Sequence, residues 1–159
     1  MSDSRVTAGI LFAATGLGGE NLHPFAQANF PFMRPSFQEL TTPTLVVAGD
    51  HDQSKMSSRG PDWFTDAYTH SPGATDLLTF YGAEHALGGI VGYEVAETTD
   101  ENPERVDAIQ RMSTAYLRPR CASMRPAGQR PGPHSATTPT RSAESTPSNA
   151  AVIRLIGRS

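Results

Sequence analysis

Cysteine is nearly absent from the 159-residue chain: Cys121 stands alone, so neither an intrachain disulfide nor a cysteine-based zinc site can form. Long apolar runs are missing as well. The longest, Ala8 to Ala14, falls far short of the roughly 18 residues a membrane-crossing helix needs. Met1-Ser2-Asp3-Ser4-Arg5 lacks the basic and apolar regions of a secretory signal. A cytoplasmic protein with no membrane partner is the expectation. Lysine is scarce too, Lys55 being the one basic residue that is not arginine, a bias that codon composition produces without a functional cause.

Aromatic residues are missing from one part of the chain. All twelve lie within residues 1–117, whereas residues 118–159 hold seven Arg, one Glu, six Pro and ten Ser or Thr. Such a segment has too little apolar surface to offset the entropy of ordering it, so a disordered Arg/Pro/Ser-rich tail is expected. Its basic residues lack the interleaved aromatics that stack on bases, and residues 1–117 carry fifteen acidic against six basic residues. Nucleic acid is therefore not an expected partner. The net charge of −3 joins an acidic body at −9 to a basic tail at +6. The body is long enough for a modest domain and short for an enzyme with its own covered active site.

Within that body, Ala8 to Ala14 reads as a strand buried on both faces and stopped by Thr15-Gly16-Leu17-Gly18-Gly19. Pro24, Pro31 and Pro35 then exclude a long helix from residues 20–41, a packed irregular connection carrying Phe25, Phe30, Phe32 and Phe37. The β-branched run Thr44-Leu45-Val46-Val47-Ala48 is a second buried strand, ending at Gly49-Asp50-His51-Asp52. A short helix opens at Pro61-Asp62 and runs to Tyr68. Asp76 to Tyr81 is a third strand, leaving through Gly82-Ala83-Glu84-His85. Asn102-Pro103-Glu104 caps and opens a last helix to about Leu117, whose apolar face is Val106, Ile109, Met112, Tyr116 and Leu117. This order predicts an α/β fold: a partial open parallel sheet of about three strands with flanking helices.

In such sheets, reactive side chains collect beyond the carboxyl ends of the strands, where the loops converge. Two loops here carry polar residues, Gly49-Asp50-His51-Asp52 and Gly82-Ala83-Glu84-His85. On adjacent strands, a carboxylate of the first would accept a hydrogen bond from His85, fix its tautomer and support an imidazolium. This is the acid and base half of a hydrolytic triad. The alternative is a solvated acidic loop beside a histidine bonded to a carbonyl.

With these residues in place, the sequence resembles the α/β-hydrolase fold family, in particular its dienelactone-hydrolase-like and chlorophyllase-like bacterial serine hydrolases. Thr42 to Asp52 looks like the penultimate strand with its Gly-x-x-Asp turn, and Gly82-Ala83-Glu84-His85 looks like the loop after the last strand. The resemblance implies that Asp52 is the triad acid and His85 the base, with Asp50 the weaker candidate for the acid. Acid before histidine is the family's order. It further implies that residues 1–117 are the C-terminal part of such a domain, acting on a small ester in the full-length family. The departure is the nucleophile: no G-x-S-x-G occurs in the chain. Ser58 has a trailing glycine only and follows the acid turn. The usual oxyanion-hole donors are missing with the elbow, so the expectation is an inactive fragment that retains at most general-base hydrolysis.

Other features carry weaker signals. The glycines of Thr15 to Gly19 are a weak phosphate-cradle signal, with no lysine in the loop and no convincing helix after it. Asp50, His51, Asp52, Glu84 and His85 could ligate zinc or manganese, but an aspartate-flanked histidine more often marks a solvated turn. Trp63, Phe64 and Tyr68 read as core packing before they read as a substrate pocket, and His23 and His70 read as surface residues. No cofactor or metal is therefore expected. The alternative function is a noncatalytic binding or interaction protein that reuses the half-sheet. An apolar parallel edge beside the first strand would favour self-association.

Overall fold

A computed structural model describes residues 5–122 and 153–157. Each apolar segment bounded by turn residues forms a strand: β1 (Gly9–Phe12), β2 (Thr44–Gly49) and β3 (Asp76–Phe80). They run parallel in that order, with Leu11 opposite Val46 and Val47 opposite Leu78. A fourth strand, β4 (Ile153–Gly157), lies antiparallel on the outer side of β3.

The sheet is thus mixed and four-stranded, which corrects the expectation of about three parallel strands. It also corrects part of the expected disordered tail. Residues 153–157 find the backbone partners that β3 would otherwise leave open, and backbone pairing does not depend on side-chain composition. The rest of the expected tail beyond Ala122, residues 123–152 and 158–159, lies outside the described residues.

Among the described strands only β2 is buried along its whole length, because it has strands on both sides and cover on both faces. Its alternation divides the core. Leu45 and Val47 join Leu78, Phe80, Trp63, Phe64 and Ile109 on one face, while Val46 and Leu77 meet Phe37 and Ala67 on the other. β1 departs from the expected double burial: Ile10 and Leu11 are half-buried and Phe12 is exposed, since β1 is the edge of the sheet.

Among the described residues, three helices flank the strands. The connection after β1 holds a single 3-10 turn and a short helix, α1 (Pro24–Asn29), with Pro24 at its start. The segment expected to be one helix at Pro61 divides into a 3-10 turn, Pro61–Thr65, and α2 (Asp66–His70). The last helix, α3 (Pro103–Ala122), begins where Asn102 predicts, with Asn102 Oδ1 accepting from the Arg105 amide at 2.9 Å. It continues past Leu117 and through Pro119. Proline removes one helical hydrogen bond, and Arg120 ties down the turn that contains it. Its guanidinium lies 3.7 Å from the Tyr116 ring centroid and 3.8 Å from Asp76 Oδ2 on β3.

Candidate functional site

The loops leaving β2 and β3 are stitched together before any reactive side chain is considered. The Asp50 amide donates to Phe80 O at 3.2 Å and the His51 amide to Ala83 O at 3.0 Å. Such closeness requires glycine at position 49, where a Cβ would come within 2.1 Å of Ala83 O. Asp50 Oδ1 completes the seam by accepting from the Gly82 amide at 2.6 Å.

On this base the structure brings Asp52 and His85 together. His85 Nδ1 lies 3.0 Å from Asp52 Oδ2. The two environments differ sharply: Asp52 is fully buried, whereas the His85 side chain is 60% exposed. A buried carboxylate with one hydrogen-bonding oxygen facing the imidazole fixes Nδ1 as the donor and leaves Nε2 toward solvent. The hydrogen bond to Asp52 raises the His85 pKa above the ordinary imidazole value; desolvation opposes this and the charge of Asp52 adds to it. The Phe64 ring, with its centroid 5.4 Å from that of His85 and tilted by 48°, flanks the imidazole. Phe64 therefore serves both readings made of it, as core and as cleft wall.

His85 opens into a cleft of about 1060 Å³ lined also by His51, Lys55, Met56, Phe64 and Glu97. The remaining candidates take other places. Asp50 holds the Gly82 amide and makes no hydrogen bond to His85. Glu84 accepts a hydrogen bond from the Thr99 hydroxyl. The acidic and imidazole groups weighed as metal ligands are thus dispersed over separate partners, and among the described residues no group of three His, Cys, Asp or Glu is placed to hold a metal ion. The Ser58 hydroxyl donates to Asn21 O at 3.1 Å, back toward the connection after β1.

The glycine-rich turn after β1 is packed, not open. A Cβ on Gly16 would lie 2.1 Å from Trp63 O, the Leu17 amide donates to Asp66 Oδ2 at 2.8 Å, and the Trp63 indole donates to Leu17 O at 2.8 Å. A carboxylate already occupies the amide that a phosphate would need. Asp66 also binds Arg59 through both guanidinium nitrogens, at 2.8 and 2.9 Å, which holds the Arg59 pKa above its ordinary value. His70, read as a surface residue without a partner, lies 3.9 Å from Asp66 Oδ1.

The sequence reading missed Asp100 and Arg105, which hydrogen-bond to the backbone of the His85 loop. No motif marked them; the neighbouring Asn102-Pro103-Glu104 reads only as a helix start. No helix among the described residues is long and apolar enough to cross a membrane. No family model, curated protein or solved structure matches the chain.

Proposed function

We propose that the chain carries the acid-and-base half of an ester-cleaving hydrolase site of the α/β-hydrolase kind, with Asp52 as the acid, His85 as the base and no nucleophile elbow among its 159 residues. The supporting observation is the 3.0 Å contact between His85 Nδ1 and the buried Asp52 carboxylate, in a loop pair at the carboxyl ends of two parallel strands. Asp52 would hold the imidazole in the tautomer whose Nε2 accepts a proton and would stabilise the imidazolium formed. An oriented imidazole activates a hydroxyl only where one is positioned beside it. The chain has no G-x-S-x-G elbow to place such a hydroxyl, and Ser54 of the same cleft accepts from the Met56 amide at 3.1 Å, so the chain by itself does not turn over esters beyond the background of free imidazole.

A chromogenic short-chain ester tests this, with wild type and His85→Ala compared against an equal concentration of imidazole. The expected rates do not exceed the imidazole control. Turnover above that control and lost in His85→Ala would overturn the inactive reading.

A second reading, a noncatalytic interaction protein, draws on the edge of the sheet. The Gly9 amide donates to Pro43 O, just before β2, at 2.9 Å and the Ala13 amide to Val47 O of β2 at 2.8 Å, so the parallel alternation turns the backbone of Ile10 and Phe12 outward. An apolar hollow of about 580 Å³, lined by Phe12, Ile90, Val106 and Ile109, lies beside that edge. Self-association through β1 is the form this reading takes.

A further inference from the structure

His85 projects from a turn that its own side chain does little to hold: the imidazole is 60% exposed and is joined to the protein by one hydrogen bond. Its aim therefore depends on the backbone from Gly82 to Gly88. That backbone includes a non-glycine residue in the left-handed region, Leu87 at φ +51, a strained conformation that persists only where the surroundings determine it. Leu87 is fully buried in the core, which fixes one end of the turn.

A single carboxylate fixes the rest. Asp100 Oδ2 accepts from the amides of Glu84, at 2.9 Å, and Gly88, at 3.1 Å, so it bridges the two sides of His85. The same oxygen accepts from Arg105 Nη1 at 2.6 Å, and Arg105 Nη2 donates to Gly82 O at 3.1 Å. The two side chains are only 7% and 6% exposed. A buried ion pair is a weak source of stability, because desolvation offsets much of the attraction, but it holds geometry firmly when its hydrogen bonds are made. Here the bonds that are made, through Asp100 Oδ2 and the two terminal nitrogens of Arg105, end on the His85 turn, while Asp100 Oδ1 and Arg105 Nε are buried without a partner.

We propose that Asp100, anchored by Arg105, is a positioning residue for His85: it clamps the backbone on both sides of the histidine and so aims the imidazole at Asp52. The proposal rests on His85 being the base of the site. Neither Asp100 nor Arg105 contacts the imidazole. Of the other charged groups at the cleft, Asp50 and Glu84 are engaged with Gly82 and Thr99, and His51, Lys55 and Glu97 line its walls.

The test is an NMR titration of the His85 ring in the full chain, with the Trp63 indole resonance as a report on folding. Asp100→Asn keeps the shape of the side chain but removes the charge that orders Arg105. Arg105→Lys keeps a cation but loses the fork that reaches Gly82. Arg111→Ala removes an exposed pair with Asp107 on the same helix and is the control. Asp100→Asn is expected to return the His85 pKa at least half-way to that of free imidazole, Arg105→Lys to shift it in the same direction by less, and Arg111→Ala to leave it at the wild-type value.

A lower melting temperature with an unmoved His85 titration would reduce Asp100 to a structural role and overturn the proposal. If Asp100→Asn does not fold, Arg105→Lys decides by the same reading. Asp52→Asn separates the two levels. Should it move the His85 titration while the clamp variants do not, only the positioning role fails; should it too have no effect, the Asp52–His85 reading fails.

Discussion

Asp50 and Asp52 stand two positions apart on one loop and hold different parts of the next. Asp50 takes the backbone amide of Gly82, whereas Asp52 takes the ring nitrogen of His85. One carboxylate sets where the second loop lies and the other sets the state of its imidazole.

This division predicts unlike effects from like substitutions. Asp52→Asn replaces the charged acceptor that raises the His85 pKa with a neutral amide, so the His85 titration falls to or below the ordinary value of about 6.5. Asp50→Asn retains an acceptor for the Gly82 amide and leaves most of the upward shift in place. Ring-proton chemical shifts followed against pH distinguish the two.

A stability difference follows from the raised His85 pKa. The folded state binds this proton more tightly than the unfolded state, so the contribution is fully present below the unfolded value of about 6.5 and is lost as pH rises through the elevated folded value. Wild type is therefore stabilised relative to His85→Gln more at pH ~5.5 than at pH ~9. The effect is small because the side chain is mostly exposed, and urea unfolding of the two proteins at both pH values measures it.

Gly49→Ala places a methyl group within 2.1 Å of Ala83 O, a backbone atom that cannot rotate away. The seam between the two loops must open, at a cost of about 2 kcal/mol or more. The expected sign is a lower denaturation midpoint together with loss of the His85 shift, because the same seam positions both.

Asp66→Ala strips the Leu17 amide and the Arg59 guanidinium of their shared partner. Asp66 is buried and Arg59 only partly so, which places the destabilisation at about 2–4 kcal/mol. Trp63, whose indole is bonded to Leu17 O in the same knot, reports the loss by its fluorescence.

At the edge of the sheet, Phe12→Lys puts a charge beside the unpaired side of β1, a device that blocks edge-to-edge pairing. Sedimentation velocity over a range of concentrations is expected to show wild type associating and the variant associating less. A wild type that remains monomeric throughout would remove the interaction reading.

The parts of the molecule legible in the sequence are those whose causes are local. The β-branched run at Thr44 to Ala48 makes β2, Asn102 caps α3, and glycine-bounded turns place Asp52 and His85 at strand ends; each follows from neighbouring residues alone. Composition, by contrast, misjudged residues 153–157, because strand addition draws on backbone groups that every residue except proline carries, and β3 offered an open edge.

Within the site, the sequence supplied the candidates and tertiary structure chose among them. The loop offered two aspartates, of which the family resemblance preferred Asp52, and the path of the loop from β3 puts the imidazole against Asp52 and the Gly82 amide against Asp50. The Asp100–Arg105 clamp had no sequence signature because its meaning lies in backbone amides and carbonyls of another loop. Short-range propensity acts through covalent neighbours, whereas a functional site is made by groups far apart in the chain that meet only once the core has closed around them.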